Sequence, residues 1–275
     1  MIIDAHTHCF PDRLAERAIA KLAATSSIQP AADGTLKGLL QKMNEDGIAQ
    51  AVVCHIATNP RQQDSVNRFA VEINGFAGGR ICSLGSVHPD SENIEETVAS
   101  LKAAGLHGIK LHPDYMQTMV DDMRFDPIFG ACEEMDMPVV IHAGYDPVSP
   151  ELIHAAPARI AAVLDRHRKL KLVAAHMGAC RQSSEVEKYL IGRDVYIDTS
   201  ISLLEMEPEA AVRMLTHHAA DRILFASDSP WSSALDTYRY LKGLALGAEL
   251  EEKIFCQNAR RLFSLPEPNP GHSVV

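Results

Sequence analysis

The sequence has a deficit of basic residues and contains no long apolar run. It has 26 lysines and arginines against 36 aspartates and glutamates, which gives a formal net charge of −10. Proteins that bind duplex nucleic acid normally present a basic surface, so this charge argues against that class while allowing a local basic pocket. No apolar run reaches the length that a transmembrane helix needs. We therefore expect a globular protein without nucleic-acid or membrane partners.

Two further absences concern cysteine and glycine motifs. The six cysteines are widely spread and include no Cys-x-x-Cys pair, and the N-terminus shows no basic segment followed by a long apolar one. These features predict reduced thiols in a cytoplasmic protein without a signal peptide. No glycine-rich run precedes a Lys-Ser or Lys-Thr pair, which argues against a P-loop nucleotide site.

The first dozen residues carry the most informative pattern. Ile2 and Ile3 predict a short buried strand, and His6 and His8 follow two positions apart. In an extended backbone such residues point to the same side, with Cα atoms about 6–7 Å apart, so both imidazoles can reach one metal ion. Alone, His-x-His is a weak motif, and further ligands elsewhere in the chain are needed to support it.

A regular alternation of strand and helix patterns follows. Counting the first strand, eight apolar strand-like segments are each followed by a helical segment; the later seven strands are predicted at residues 51–56, 81–87, 108–112, 138–142, 170–176, 195–199 and 223–228. Near-continuous apolar strands favour a parallel sheet covered on both faces. Eight such units in 275 residues predict a single-domain α/β fold, a (β/α)8 TIM barrel over residues 1–265, with a doubly wound open sheet as the alternative. Residues 266–275 are predicted to form a poorly ordered tail.

The residues that end these strands are polar. Seven of the thirteen histidines lie there, as do Lys110, Asp198 and Asp228. In a parallel barrel the carboxyl ends of the strands share one rim, which carries the catalytic residues. Imidazole and carboxylate groups are the ligands that Zn²⁺ and similar ions prefer. A bound metal lowers the pKa of water from about 16 to roughly 7, and an adjacent carboxylate can take up the proton.

This set of residues resembles the amidohydrolase superfamily, and within it the amidohydrolase-2 group of metal-dependent hydrolases and decarboxylases. The resemblance rests on Asp-x-His-x-His at residues 4–8, Gly-x-Lys-x-His-Pro at 108–113, Ser-Asp-x-Pro at 227–230 and Asn-Ala-x-x-Leu-Phe at 258–263. It spans almost the whole chain. The ordered set is specific for the superfamily but only weakly specific for the reaction.

The resemblance implies roles for individual residues. It implies that His6, His8 and His142 bind one divalent cation, with Asp228 as the remaining ligand or as the catalytic group that moves a proton. It also implies that His176 is a catalytic base, or binds a second cation as in binuclear relatives. We expect Zn²⁺, with one ion per chain favoured and two possible.

Lys110, His112 and Tyr115 are the predicted substrate contacts. In some binuclear relatives a lysine after the fourth strand is carboxylated and bridges two cations, which the resemblance allows for Lys110. The same side chain can instead be an ammonium that binds a substrate carboxylate, or a member of an ordinary ion pair with a barrel acid. The sequence leaves these alternatives open.

The function predicted from the resemblance is that of a metal-dependent hydrolase, in which metal-bound hydroxide attacks an amide, lactone or related carbonyl of a small molecule. The first alternative is a metal-dependent decarboxylase of a small unsaturated or aromatic acid, because the resembled group contains both chemistries. A nuclease similar to the TatD type ranks lower, since those proteins normally carry a glutamate where Lys110 stands. A non-enzymatic binding protein is the last alternative, and an exposed apolar helix face could support a homodimer.

Overall fold

The computed structural model describes residues 1–268, which contain eight β-strands. The strands are β1 Ile3–Thr7, β2 Gln50–Cys54, β3 Ile81–Leu84, β4 Ile109–Leu111, β5 Val139–Ile141, β6 Leu172–Ala174, β7 Tyr196–Asp198 and β8 Ile223–Leu224. Helices follow every strand, in the order that the sequence pattern predicts.

Thirteen α-helices lie within the described residues. They are α1 Asp12–Ser26, α2 Leu36–Asp46, α3 Gln63–Ile73, α4 Phe76–Gly79, α5 Ile94–Ala103, α6 Pro113–Met116, α7 Asp126–Glu134, α8 Pro157–Arg166, α9 Ser183–Tyr189, α10 Pro208–His217, α11 Ala234–Gly243, α12 Ala248–Glu252 and α13 Asn258–Phe263, with a π-helical segment at Lys253–Gln257. Local chemistry sets their ends. The Thr35 side chain caps α2 by accepting from the Gly38 N–H, and Gly47 ends that helix in the left-handed conformation.

The strands close into one barrel. Parallel ladders join β1, β2 and β3 in that order, and β4 to β8 in that order. The two ladders meet where Gly85 bridges to Ile109, and again where Thr7 bridges to Ser229. The predicted (β/α)8 barrel is therefore confirmed, and the doubly wound open sheet is excluded.

Side chains alternate between the barrel interior and the layer under the helices. On β5, Val140 points inward while its two neighbours pack against helices. Leu262, Phe263 and Leu265, in and just after α13, join the inward-facing cluster. His107, which precedes β4, hydrogen-bonds the Phe263 carbonyl, so this apolar plug lies at the amino ends of the strands. The opposite rim is left for polar residues.

The predicted strands are longer than the observed ones at their carboxyl ends. The eighth was predicted at residues 223–228 but ends at Leu224, and the sixth was predicted at 170–176 but spans Leu172–Ala174. The backbone leaves the ladder early there, because it turns to direct side chains over the rim. Of the predicted tail, residues 269–275 lie outside the described residues. Within residues 1–268, every helix is too short or too polar to span a bilayer.

Candidate active site

The polar residues at the carboxyl ends of the strands meet in one buried cluster. Lys110 lies between two outward-facing residues of β4, which directs it into the barrel, and Asp198 ends β7. The register of β1 against β2 shifts between Asp4 and Thr7. Such an irregularity re-aims side chains, and it accompanies the contact of His6 with Asp198 and Lys110.

His6, His8 and Asp228 form the tightest group. His6 Nε2 and His8 Nε2 lie 3.4 and 3.0 Å from Asp228 Oδ1. That oxygen is buried and takes part in no hydrogen bond. Ligand bonds of about 2.0–2.1 Å at tetrahedral angles would place neighbouring ligand atoms about 3.3 Å apart. The donor types, the spacing and the unpartnered carboxylate oxygen all fit a divalent cation.

The other nitrogen of each imidazole has its own acceptor. His6 Nδ1 lies 2.9 Å from Asp198 Oδ2, and His8 Nδ1 lies 2.7 Å from the Cys54 carbonyl oxygen. Because both partners only accept, each Nδ1 carries a proton, and in the neutral rings each Nε2 therefore presents a lone pair toward Asp228. This is the arrangement that metal-binding histidines usually adopt.

Asp198 fixes two of the histidines at once. Its Oδ1 accepts from the backbone N–H groups of His176 and Ser200 and from the Ser200 hydroxyl, while its Oδ2 accepts from His6. Burial alone would raise the pKa of Asp198, but the neighbouring His6 and these donors hold it below the usual range. Asp198 was predicted at the rim from its place at the end of a strand, but no role was predicted for it. Its position at a strand end was the available signal.

His176 and His142 face each other. The Ser200 hydroxyl donates to Asp198, so its oxygen accepts from His176 Nδ1, which lies 2.8 Å away. His176 Nε2 therefore presents a lone pair, and it lies 2.9 Å from His142 Nδ1. Burial lowers the pKa of both rings, which favours the neutral forms that can bind a cation.

The structure does not place His142 in the group formed by His6, His8 and Asp228. Among the described residues, its imidazole groups with His112 and Asp146 instead. The assignment of His142 to the same cation as His6 and His8 stays a prediction. His55 and His88, two further rim histidines, are buried but belong to no such group in residues 1–268.

Lys110 contacts one of the candidate metal ligands directly. Its Nζ is 3.0 Å from His6 Nε2, and the side chain is 1% exposed. As an ammonium, Lys110 would donate to the lone pair that a cation needs. Binding of a cation at His6 Nε2 and the hydrogen bond between Lys110 and His6 therefore compete for the same lone pair.

His112 and Tyr115 form one wall beside this cluster. The ring centroids of His112 and Tyr115 lie 4.1 Å apart, and those of His112 and His142 lie 4.2 Å apart. Burial raises the pKa of the Tyr115 hydroxyl, so it stays protonated and able to donate. His112 thus lies between Tyr115 and His142, and the assignment of His112 and Tyr115 as substrate contacts stays a prediction.

The backbone is strained at two of the predicted catalytic residues. His176 and Asp228 adopt φ values of 62° and 67°, in the left-handed region that non-glycine residues rarely occupy. Such conformations persist only where surrounding contacts hold them, and they cluster at functional sites.

The loops after β5 and β6 touch directly at Gly144, two residues after His142. An added Cβ at Gly144 would lie 2.2 Å from the Cys180 backbone nitrogen.

Comparisons with known proteins agree with this architecture. A protein-family profile described as amidohydrolase matches residues 3–265. An uncharacterised TIM-barrel protein from Bordetella bronchiseptica superposes with a TM-score of 0.77 at 20% identity, over 96% of this chain and 98% of that one. No curated protein matches the chain significantly.

Two further solved structures bear enzyme names. A candidate 2-pyrone-4,6-dicarboxylic acid hydrolase from Pseudomonas putida has a TM-score of 0.66 at 20% identity, covering 96% of this chain and 97% of its own. A 5-carboxyvanillate decarboxylase from Novosphingobium aromaticivorans, with bound manganese, has a TM-score of 0.66 at 18% identity and the same coverage. At these identities the likenesses establish the fold.

Proposed function

The chain belongs to the amidohydrolase family whose profile spans residues 3–265, and on that premise we propose that it is a metal-dependent hydrolase of an amide, lactone or related carbonyl in a small molecule. Members of this family are enzymes. The observation that carries the proposal is the group of His6, His8 and Asp228, in which two imidazole lone pairs meet a buried carboxylate oxygen without a hydrogen-bond partner.

His6, His8 and Asp228 would hold the cation, and we propose Zn²⁺ as its identity because imidazole and carboxylate ligands suit that ion. When bound, a divalent cation acidifies water and polarises a carbonyl. Asp228 carries a second carboxylate oxygen, so it can take the proton of an attacking water and return it to the leaving group. His176, neutral and held by Ser200, offers Nε2 as a further proton acceptor.

Decarboxylation of a planar unsaturated acid is the second candidate. The observation that favours it is the row of three rings formed by Tyr115, His112 and His142, with centroid distances of 4.1 and 4.2 Å. A flat conjugated acid can stack on such rings. The manganese-containing relative named above is a decarboxylase, and the Pseudomonas relative bears the name of a hydrolase.

A substrate panel distinguishes the two reactions. Purified protein is stripped with a chelator and reloaded with Zn²⁺ or Mn²⁺, and each form is incubated with lactones, amides and unsaturated or aromatic acids. We expect metal-dependent ring opening or amide cleavage without release of CO₂. Metal-dependent release of CO₂ would replace the hydrolase with the decarboxylase, and inactivity of every loaded form would contradict both.

The state of Lys110 decides how many cations the site holds. We propose one cation per chain, with the Lys110 side chain moving away from His6 Nε2 when the cation enters. In that case Lys110→Met removes a competitor and should tighten Zn²⁺ binding, measured by chelator competition. If Lys110 is instead carboxylated and the chain holds two cations, native mass spectrometry should show one added CO₂ and elemental analysis should give two ions. In that case Lys110→Met should lose metal.

A further inference from the structure

The junction between β1 and β8 carries all three residues of the candidate metal group. His6 is in β1 and His8 directly follows it, while Asp228 lies after the end of β8. Within residues 1–268 no regular ladder joins these two strands, and a single bridge pairs Thr7 with Ser229. The position of Asp228 relative to the two histidines therefore depends on individual contacts across the junction.

Asp4 supplies side-chain contacts across this junction. Its Oδ1 accepts from the backbone N–H of Ser227 at 3.0 Å and from that of His6 at 3.3 Å, and its Oδ2 accepts from the Ser227 hydroxyl at 2.5 Å. Asp4 is 2% exposed and Ser227 is fully buried. The carboxylate thus joins the strand that carries His6 to the residue that precedes Asp228.

Asp4 lies behind the candidate site and not in it. Its neighbours Ile3 and Ala5 belong to the inward-facing cluster, so the alternation along β1 directs Asp4 toward the layer under the helices. In the part of the chain that the structure describes, Asp4 belongs to none of the groups that could hold a cation. Any effect of Asp4 on a bound cation must therefore pass through other residues.

The Ser227 hydroxyl provides the connection to Asp228. It donates to Asp4 and accepts from the Ser229 N–H at 3.0 Å, so it is bonded on both sides of Asp228. Asp228 itself has a φ of 67° and donates its N–H to the His6 carbonyl at 2.8 Å. A left-handed conformation at a residue other than glycine persists only where surrounding contacts hold it. The bonds of Ser227 are among those contacts.

We propose that Asp4 is a positioning residue that acts through Ser227 to hold the Asp228 carboxylate beside His6 and His8. Asp228 Oδ1 lies 3.4 and 3.0 Å from the Nε2 atoms of these two imidazoles. When the bond between Asp4 and Ser227 is lost, the turn at Asp228 can relax toward a more favourable φ. The carboxylate oxygen then leaves the position in which it can share a cation with both histidines.

The inference rests on the proposed function for its metal readout. Asparagine at position 4 keeps one acceptor for the backbone N–H groups, but its NH₂ group cannot accept from the Ser227 hydroxyl. Asp4→Asn and Ser227→Ala should each lower Zn²⁺ affinity about 10–100-fold, the loss typical when a residue that orients a metal ligand is removed. Because both changes remove the same hydrogen bond, the double variant should lose no more affinity than the weaker single variant. Additive losses, or wild-type affinity in Asp4→Asn, would overturn the proposal.

Asn258→Ala is the matched control at the other end of β8. The Asn258 amide donates to the carbonyls of Ala220 and Ile223 at 2.9 and 2.8 Å, so this change also removes buried hydrogen bonds. It should lower the midpoint of urea unfolding but leave Zn²⁺ affinity and the visible spectrum of the Co²⁺-loaded protein unaltered. Asp4→Asn should shift that spectrum, because a carboxylate ligand moves. An equal loss of affinity in both variants would show that affinity follows stability alone and would overturn the positioning role.

The pH of these measurements is chosen to keep Asp4 ionised. Burial raises the pKa of Asp4 to about 7, so the affinities are measured at about pH 8.5, where the carboxylate accepts from all three donors.

A further measurement needs no metal. In the metal-free protein, Asp4→Asn should speed amide hydrogen exchange at Asp228 and Ser229, whereas Asn258→Ala should not. Unchanged exchange in Asp4→Asn would contradict the link through Ser227. If wild-type protein bound no divalent cation, the proposed function would fall, and exchange alone would then decide whether Asp4 holds the turn at Asp228.

Discussion

Replacing Asp198 with asparagine is the sharpest test of how the site prepares its ligands. Asparagine has nearly the same shape, but only one of its two terminal atoms accepts hydrogen bonds. Asp198 Oδ1 accepts from His176, Ser200 and the Ser200 hydroxyl, and Oδ2 accepts from His6. The single carbonyl will keep the side with more donors, so the amide NH₂ will face His6 Nδ1.

That orientation reverses the tautomer of His6. Nδ1 must then accept, the ring proton moves to Nε2, and the lone pair aimed at Asp228 is lost. Loss of such a partner typically weakens metal binding about 10–100-fold, which corresponds to about 1.4–2.8 kcal/mol. In the metal-free protein, loss of a hydrogen bond to a charged, buried acceptor should cost about 1.5–3 kcal/mol of unfolding free energy.

Two measurements check these values. Chelator competition gives the Zn²⁺ affinity of the reloaded protein, and urea unfolding of the metal-free protein gives its stability. Asp194→Asn is the control, because Asp194 is exposed and pairs with Arg222 at the surface. That change should cost at most about 1 kcal/mol and leave affinity unaltered. Wild-type affinity in Asp198→Asn would refute the argument from tautomers.

Three further predictions concern other parts of the site. His8→Ala should lose most of the bound cation with unchanged helix content by circular dichroism, and unchanged metal content would contradict its assignment as a ligand. Gly144→Ala should lower the thermal unfolding midpoint, because the new Cβ would meet the Cys180 backbone at 2.2 Å with φ at +89°, whereas Gly130→Ala in α7 has open space and should not. Burial lowers the pKa of His55 to about 3, below the value of about 6.5 expected in the unfolded chain. Stability should therefore fall as the pH is lowered from about 6.5 toward 3. The midpoint of urea unfolding should fall less over this range in His55→Gln than in the wild type, and an equal fall in both proteins would contradict the prediction.

The sequence predicts the barrel because its signal is repeated eight times along the chain. Each strand is a short apolar run before a helix, and β5 shows the pattern well, with Val139, Val140 and Ile141 all buried. The ends of strands are predicted less well. Asp228 was placed within the eighth strand, yet the backbone has already turned into the left-handed region there. The local sequence does not predict such a turn, because contacts with other strands stabilise it.

The sequence predicts those residues of the candidate site that directly follow an apolar strand. The rim histidines and Asp228 stand out because they follow apolar runs. The sequence does not identify the acceptors that orient the imidazoles, because Asp198 and His6 are 192 positions apart in the chain. Asp146, which groups with His112 and His142, lies in a segment without strand or helix periodicity, where the sequence does not distinguish a buried carboxylate from an exposed one.

The link between His6 and Asp198 also connects the site to the packing beneath it. These residues belong to β1 and β7, which are separated by β8 and do not share a ladder, so their hydrogen bond crosses the barrel interior. Its 2.9 Å length therefore depends on the width of the interior, which Tyr196 helps to fill two positions below Asp198. Protein interiors are close-packed and transmit changes in volume to their neighbours. The packing that stabilises the barrel thus helps to hold the Asp198 carboxylate beside His6 Nδ1, and we expect a substitution in the apolar interior to change cation affinity without altering a proposed ligand.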